Sequence, residues 1–398
     1  MLKICVIGLG YVGLPICLKL AKSFNVIGYD INSERIDTLN KGIDLNDEFK
    51  KKDIQIKNLI FSKKIGDIKQ CNFYIVCVPT PITYLKKPDL KYIDKSFNLL
   101  SKILKKGDII VLESTVYPGV TKTFTKKLEK KTKLVNNYDF TTCYSPERIN
   151  PGDKNRNLNN INKILAYEGK NGKVKKIIIN VYKKISKKLI FSKNINEAET
   201  AKGIENIQRD LNIALFNEIL MICDKLKLNF NEVVRLASTK WNFINFSPGL
   251  VGGHCLPVDP YYLTYIAKKQ GYKSKVTLSG REVNNFMKKY IINLVNIAIK
   301  TSRIKKNKVK ICIVGLTYKY GVADTRNSQK IEILRYFKKR YKNTIGFDPF
   351  FKRSDKLKNY DLKKYNFFLF LSKGSKFKKI ADLLDKKKII DPFFYYSN

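Results

Sequence analysis

Residues Ile4–Gly13 read ICVIGLGYVG. An apolar run, Lys3–Ile7, leads directly into Gly8, Gly10 and Gly13 in G-x-G-x-x-G spacing, and an amphipathic stretch follows. A strand feeding such a turn needs Gly8 for the sharp bend and Gly10 for close approach of a pyrophosphate. Gly13 lets the helix pack on the strand, and the helix N-terminus, with Tyr11 and Val12 in the turn before it, faces the phosphates. A second apolar run, Asn25–Tyr29, ends at Asp30, 20 residues after Gly10. An acidic residue there hydrogen-bonds a ribose 2′-hydroxyl and repels a 2′-phosphate, so the pattern favours NAD over NADP. Arg35, a helical turn further on, is expected to flank the adenosine.

Outward from this turn, short β-branched runs alternate with helical stretches for about 190 residues, the pattern of a parallel sheet covered on both faces. Further strands are expected at Phe73–Val78, Asp108–Glu113 and Thr141–Tyr144. Two strand ends are polar: VCVPTP (Val76–Pro81) places Pro79 and Thr80, and ESTVYPG (Glu113–Gly119) places Ser114 and Thr115, where a parallel sheet opens its ligand crevice. From about Asn196 to Leu226 the period changes. Ala198, Ala201, Ile204, Ile207, Leu211, Ala214, Leu215 and Ile219 recur at three- and four-residue steps, which predicts one long helix. Helical patterns continue to about Ser302, interrupted at Phe246–Pro260. After a basic linker, Lys305–Lys310, a new strand starts at Val309–Gly315. KICVIGLGYVG (Lys3–Gly13) and KICIVGLTYKYG (Lys310–Gly321) echo one another as strand-into-glycine turns. The reading is an α/β chain in which two Rossmann-like, doubly wound parallel-sheet domains (1–193 and 303–398) flank a central helical domain (194–302).

The 398 residues carry 78 basic against 34 acidic side chains, a formal charge of +44. A field of that sign suits polyanions. Yet 11 of the 78 basic residues are arginine, the residue that nucleic-acid sites use for bidentate contacts. The lysines are spread along the chain with abundant Asn, Ile, Tyr and Phe, all types with AT-rich codons, so compositional drift is the alternative to a binding role. Hydrophobic content of 44% excludes a disordered basic tail. No apolar run reaches membrane-span length and no signal-peptide pattern opens the chain, so a soluble cytoplasmic protein without membrane insertion is expected. The eight cysteines form no CxxC pair, and the one histidine is His254, so no metal site and no disulfide framework is expected.

One cysteine stands apart. Gly249–Leu263 reads GLVGGHCLPVDPYYL, a glycine-rich, non-periodic loop in which Gly249, Gly252 and Gly253 let the backbone pass close to a ligand. A thiol at Cys255, with Asp259 four residues on, is badly placed for core packing and well placed for nucleophilic attack. His254 adjoins it, with a structural role the simpler expectation. Beside an NAD site, Cys255 suggests an aldehyde-level intermediate captured as a thiohemiacetal.

These motifs together resemble the UDP-glucose/GDP-mannose dehydrogenase family, most closely its UDP-N-acetylhexosamine 6-dehydrogenase branch of the Vi-polysaccharide type. The resemblance runs nearly end to end, through VIGLGYVGLP, VCVPTPI, ESTVYPG, YSPERINPGD, AKGIENIQRDLNIALFNE, TKWNF, GLVGGHCLPVDPYYL and GLTYKYGVADTRNS. It implies an NAD-dependent four-electron oxidation of a sugar C6 alcohol to the carboxylate, and a homodimer built on the central helix. It also implies roles. Cys255 is the nucleophile; Lys202 holds the C6 oxygen and stabilises oxyanions, with Asn206 one turn along the same helical face. Glu147 is the acid/base near the thioester, beside Arg148 on the substrate, and Thr115 and Asp259 order a proton-transferring water. Gly249 and Gly252 approach the substrate, Lys319 reaches substrate phosphate, and Arg326 reaches the cofactor.

Three departures refine the resemblance. UDP-glucose dehydrogenases carry a second glutamate four residues beyond the position of Glu147, where this chain has Pro151; that favours a UDP-GlcNAc or UDP-GalNAc substrate over UDP-glucose. Gly203 stands mid-helix where relatives carry a large apolar residue, at a cost of about 1 kcal/mol in helix propensity, and leaves space beside Lys202. The C-terminus, IIDPFFYYSN, lacks an arginine that some relatives use on the substrate. The alternatives are a UDP-glucose or UDP-ManNAc dehydrogenase, a two-electron relative of the 6-phosphogluconate or 3-hydroxyacid type, and, in a different class, an inactive dehydrogenase-fold protein that binds polyanions. Loss of Lys202, Asn206 or Cys255 would mark the last; all three are present.

Overall fold

A computed structural model describes residues 2–148, 158, 160–357 and 359–396 of the chain. By internal contacts the chain divides into two compact units, Met1–Glu205 with Tyr261–Tyr272, and Asn206–Pro260 with Lys273–Asn398.

The first unit is built on an eight-stranded sheet: β1 Lys3–Ile7, β2 Asn25–Tyr29, β3 Leu59–Ser62, β4 Phe73–Val76, β5 Ile109–Leu112, β6 Thr141–Tyr144, β7 Asn162–Ala166 and β8 Lys188–Ser192. Their order is β3-β2-β1-β4-β5-β6-β7-β8. Helices α1 Gly13–Leu20, α2 Ser33–Asn40, α3 Lys51–Ile54, α4 Ile65–Ile68, α5 Lys91–Leu100, α6 Val120–Thr132 and α7 Gly172–Ile185 connect them. The central strands are buried on both faces, which is why KICVI, FYIV and IIVL read as unbroken apolar runs. Two separate cores result. One lies around Ile4, Val6, Ile16 and Tyr182, and the other around Ile7, Tyr74, Phe97 and Phe124. Asparagines start two of the helices: Asn32 accepts from Arg35 N, and Asn171 from Lys173 N and Val174 N. The sheet departs from the parallel expectation at one edge. β7 pairs antiparallel with β6, so β7 and β8 run against the first six strands.

Four more helices follow, α8 Ile195–Lys225, α9 Phe230–Ala237, α10 Asp259–Lys269 and α11 Lys275–Thr301. Helix α8 is continuous over 31 residues, close to the extent its periodicity predicts. The second unit's sheet contains β9 Lys310–Val314, β10 Asn343–Phe347, β11 Phe367–Phe370 and β12 Ile389–Ile390, with α12 Gln329–Arg340 and α13 Ser375–Ala381. All four strands are parallel, in the order β10-β9-β11-β12. The second halves of α8 and α11 share one core with this sheet: Phe216, Leu220, Met287 and Ile291 pack with Ile311, Ile313 and Phe337. No helix among the described residues is long and apolar enough to cross a membrane.

The internal echo extends to hydrogen bonding. Gly8 (φ +93°) donates its N–H to Tyr29 O at 2.8 Å, and Leu9 N donates to Asp30 Oδ2 at 2.8 Å. Gly315 (φ +88°) donates to Phe347 O at 2.8 Å, and Leu316 N to Asp348 Oδ2 at 2.8 Å. Both units therefore end their first strand in one and the same construction, a left-handed glycine beside a carboxylate that closes the turn. They diverge afterwards: α1 begins five residues after Gly8, α12 fourteen after Gly315.

Candidate active site

In the first unit the glycine turn fits a dinucleotide. A Cβ on Gly8 would stand 2.8 Å from Cys77 O, and one on Gly13 would stand 1.8 Å from Gly8 O, so both positions demand glycine. At Gly10 a Cβ would meet nothing within 4 Å, which leaves the backbone open on the side a pyrophosphate would approach. Asp30 stands at the end of β2, where its carboxylate also accepts from Asn32 N at 2.9 Å. Arg35 has a task the sequence did not suggest. It is buried, its Nε donates to Leu9 O at 2.9 Å, and its Nη1 pairs with Asp44 at 2.7 Å, bracing the glycine turn from behind.

The ends of β4 and β5 come together beside that turn. Ser114 Oγ donates to Val78 O at 2.7 Å, and Tyr262 OH donates to Thr80 O at 2.9 Å, which ties down the strand ends carrying Pro79, Thr80 and Thr115. The loop from Ser114 to Gly119 is closed by Glu199 of α8. That buried carboxylate accepts from Gly119 N (2.6 Å), Thr121 N (2.9 Å) and Thr121 Oγ1 (2.7 Å), and so caps α6 from outside. Lys202 stands one turn further along α8 and is buried.

Glu147 follows β6. Its Oε2 accepts from Lys163 Nζ at 2.9 Å and its Oε1 from Arg148 N at 2.5 Å. Arg148 pairs in turn with Glu205 of α8 and donates to Asn162 O at 3.2 Å. Pro151, on which the choice between UDP-glucose and N-acetylated substrates rests, lies outside the described residues.

In the second unit the Cys255 loop is pinned along its length. Asn217 of α8 clamps Gly249 in both directions, Nδ2 to Gly249 O at 3.0 Å and Gly249 N to Oδ1 at 2.8 Å. Gln329 donates to Val251 O at 3.1 Å, Asn327 Nδ2 to Gly253 O at 3.0 Å, and Tyr395 OH to Pro248 O at 3.1 Å. The glycines serve this packing. A Cβ on Gly252 would stand 3.1 Å from Asn327 O, and Gly253, at φ +84°, faces the Tyr318 ring. None of these four anchoring side chains was legible beforehand; a buried Asn inside the apolar stripe of α8 was the one available signal.

Cys255 is exposed, whereas the other seven cysteines are buried. Burial pushes the thiols of Cys17, Cys77, Cys143 and Cys312 well up, which keeps them protonated and inert. The Cys255 carbonyl accepts from Val258 N (3.0 Å) and Asp259 N (2.8 Å), so the residue sits at the entry to α10. There Asn206 Nδ2 donates to Asp259 Oδ2 at 2.5 Å, which brings two of the expected residues together. His254 Nε2 lies 2.8 Å from Arg326 Nη2. A guanidinium can only donate, so this nitrogen accepts; burial first, and Arg326 next, lower the imidazole's pKa. Arg326 is itself gripped by Asp324 at 2.7 Å. Lys319 lies in the loop after β9, its carbonyl accepting from Thr317 Oγ1 at 3.0 Å. Lys330, fully buried, donates to Thr317 O (2.8 Å) and Ser372 Oγ (2.6 Å) and ties the ends of β9 and β11; burial lowers its pKa to about 8.

Three segments of one known family match along the chain. Residues 2–186 match the NAD binding domain, 196–286 the central domain and 312–396 the UDP binding domain of the UDP-glucose/GDP-mannose dehydrogenase family. The UDP-N-acetyl-D-glucosamine 6-dehydrogenase of Pseudomonas aeruginosa is 40% identical over 364 residues, covering 91% of this chain and 86% of that protein. The enzyme of the same name from Salmonella typhi is 42% identical over 350 residues, covering 87% and 82%. Among solved structures, the UDP-D-ManNAc dehydrogenase of Pyrococcus horikoshii superposes with a TM-score of 0.88 at 29% identity, covering 98% of this chain and 95% of the other. The chain belongs to the UDP-glucose/GDP-mannose dehydrogenase family of NAD-dependent nucleotide-sugar dehydrogenases.

Proposed function

We propose that the protein oxidises the C6 alcohol of a UDP-N-acetylhexosamine, UDP-GlcNAc first, to the uronic acid through a covalent bond to Cys255. The observation that carries this reading is the single exposed thiol on a loop anchored by Asn217, Asn327 and Gln329. NAD, when bound at Gly8–Gly13 and Asp30, supplies the hydride acceptor for two oxidations at C6.

The chain's own residues do the rest. Lys202 and Asn206 hold the C6 oxygen, and the cationic Lys202 favours negative charge as it develops there. Cys255 Sγ bonds to the aldehyde carbon while its proton passes to the carbonyl oxygen, giving a thiohemiacetal. Loss of hydride and of the hydroxyl proton leaves a thioester. Glu147 takes a proton from water, with Thr115 and Asp259 ordering that water. The hydroxide adds, the C–S bond breaks, and the thiolate recovers a proton as the carboxylate departs. Lys319 and Arg326 are assigned to substrate phosphate and to cofactor, and Arg148, Gly249 and Gly252 to the substrate.

Relatives named as UDP-GlcNAc 6-dehydrogenases at 40% and 42% identity support the gluco configuration over the manno, whose named dehydrogenases stand at 33%. With purified protein and NAD, UDP-GlcNAc is expected to turn over faster than UDP-GalNAc, UDP-ManNAc or UDP-glucose. NADH formation on UDP-glucose alone would sink the assignment. The uronate would feed a surface polysaccharide, and the enzyme would work in the cytoplasm as a homodimer. Ile204, Leu215 and Ile222 form an exposed apolar stripe on one face of α8 that suits such a dimer. A single-chain mass in sedimentation equilibrium would remove the dimer.

A further inference from the structure

We propose that Lys163 is the positioning residue for Glu147, holding and aiming its carboxylate, and that Glu113 is the carboxylate that yields its claim on the lysine. The proposal rests on the reading of Glu147 as the acid/base of thioester hydrolysis. Lys163, on β7, has a wholly buried side chain and lies between two carboxylates, 2.5 Å from Glu113 Oε2 and 2.9 Å from Glu147 Oε2. Glu113, at the end of β5 and equally buried, receives Tyr182 OH on its other oxygen at 2.6 Å. Other groups facing Glu147 are Arg148 beside it with Glu205 of α8 behind, and the buried thiol of Cys77 at the end of β4.

One carboxylate is enough to neutralise a buried lysine. A second one adds like-charge repulsion in a poorly solvated place, a cost that serves no packing purpose. It has a use if one of the two must stay ionised while the other yields. Burial, with the nearby charge of Glu147, pushes Glu113 up to about 7 against the pull of Lys163. Burial opposes the lysine's charge as well, yet the two carboxylates hold it above the ordinary lysine value. Near neutral pH Glu113 is thus the carboxylate that takes up a proton, and Lys163 then serves Glu147 alone. Fixing one oxygen of Glu147 on Lys163 and the other on Arg148 N also orients the group that must meet water.

The test is the pH dependence of kcat for uronate release by the whole chain with NAD and UDP-GlcNAc. Glu113→Gln, close to isosteric, mimics the protonated Glu113 and is expected to leave the acid limb in place. Lys163→Met/Glu113→Gln removes the cation without stranding Glu113, and is expected to move the limb up by about one unit, the ordinary weight of one adjacent charge. A merely structural cluster would change the melting temperature and leave the limb in place. An unmoved limb in the double variant overturns the role of Lys163, and a limb that moves in Glu113→Gln overturns that of Glu113. If the double variant does not fold, Lys163→Gln/Glu113→Gln, which removes the charge with a polar side chain in its place, decides, an upward shift supporting the proposal and an unmoved limb overturning it. Glu147→Gln separates the two claims, because full uronate release in that variant overturns the role of Glu147 itself, whatever the limbs do.

Discussion

Cys255→Ser is expected to lower uronate formation by at least about a thousandfold while NAD binding stays at its wild-type level, on the scale seen when a nucleophile is removed from a catalytic unit. Serine keeps the shape of the side chain and loses its chemistry. A neutral hydroxyl is a far weaker nucleophile than a thiol that can ionise, and an oxygen ester is a poorer acyl donor to water than a thioester. The loop is held by other groups. Its anchors are backbone groups met by Asn217, Asn327 and Gln329, and the contacts of residue 255 to Val258 N and Asp259 N go through its carbonyl. Product analysis of uronate, beside a fluorescence titration with NAD, checks both halves. Wild-type uronate formation in the variant would take Cys255 out of the mechanism.

Arg281→Met is expected to destabilise the protein by about 3–5 kcal/mol, the usual result of leaving one member of a buried ion pair alone. Arg281 of α11 pairs with Asp210 of α8 at 2.6 Å, and both side chains are almost wholly buried. Asn284 donates to the same carboxylate at 2.8 Å and accepts from Asn217 at 2.8 Å, and Asn217 holds Gly249. Losing Arg281 therefore strands a carboxylate inside the frame that carries the Cys255 loop. Asp210→Leu/Arg281→Met, which removes both charges, is expected to recover most of the loss. Urea unfolding of the two variants checks the pair; equal destabilisation in both would show that packing, not charge, carries the effect.

The strands that mattered most for recognising the fold were those buried on both faces. KICVI, NVIGY and TTCY stand where their apolar runs predict, and α8 follows its three- and four-residue periodicity. The strands at β3, β7 and β8 were not foreseen. LIFS, NKILA and KLIFS are short runs set among lysines, and local pattern does not tell a strand's direction, so the reversal at β7 stayed hidden. The candidate site divides in the same way. Gly8, Gly13 and Asp30 belong to one spacing pattern along a strand, turn, helix and strand, and could be read from it although Gly8 and Asp30 meet partners 21 to 69 residues away. Lys163, one lysine of 67, and Asn217, one asparagine in a helix, gain their meaning from partners 16 to 67 residues away. Arg35, expected beside the adenosine, shows in its buried ties to Leu9 and Asp44 a bracing task that the sequence did not suggest.

The charge of +44, which first pointed to polyanions, is carried largely by lysines spread along the chain; Lys163, Lys202 and Lys330 are buried. In the proposed mechanism one thiol carries C6 through two successive oxidations without release of an aldehyde. Counting NADH formed per sugar consumed, with UDP-GlcNAc limiting and NAD in excess, decides this. Two NADH per sugar, with a uronate as the product, is the predicted result. One NADH per sugar, with an aldehyde in solution, would contradict it.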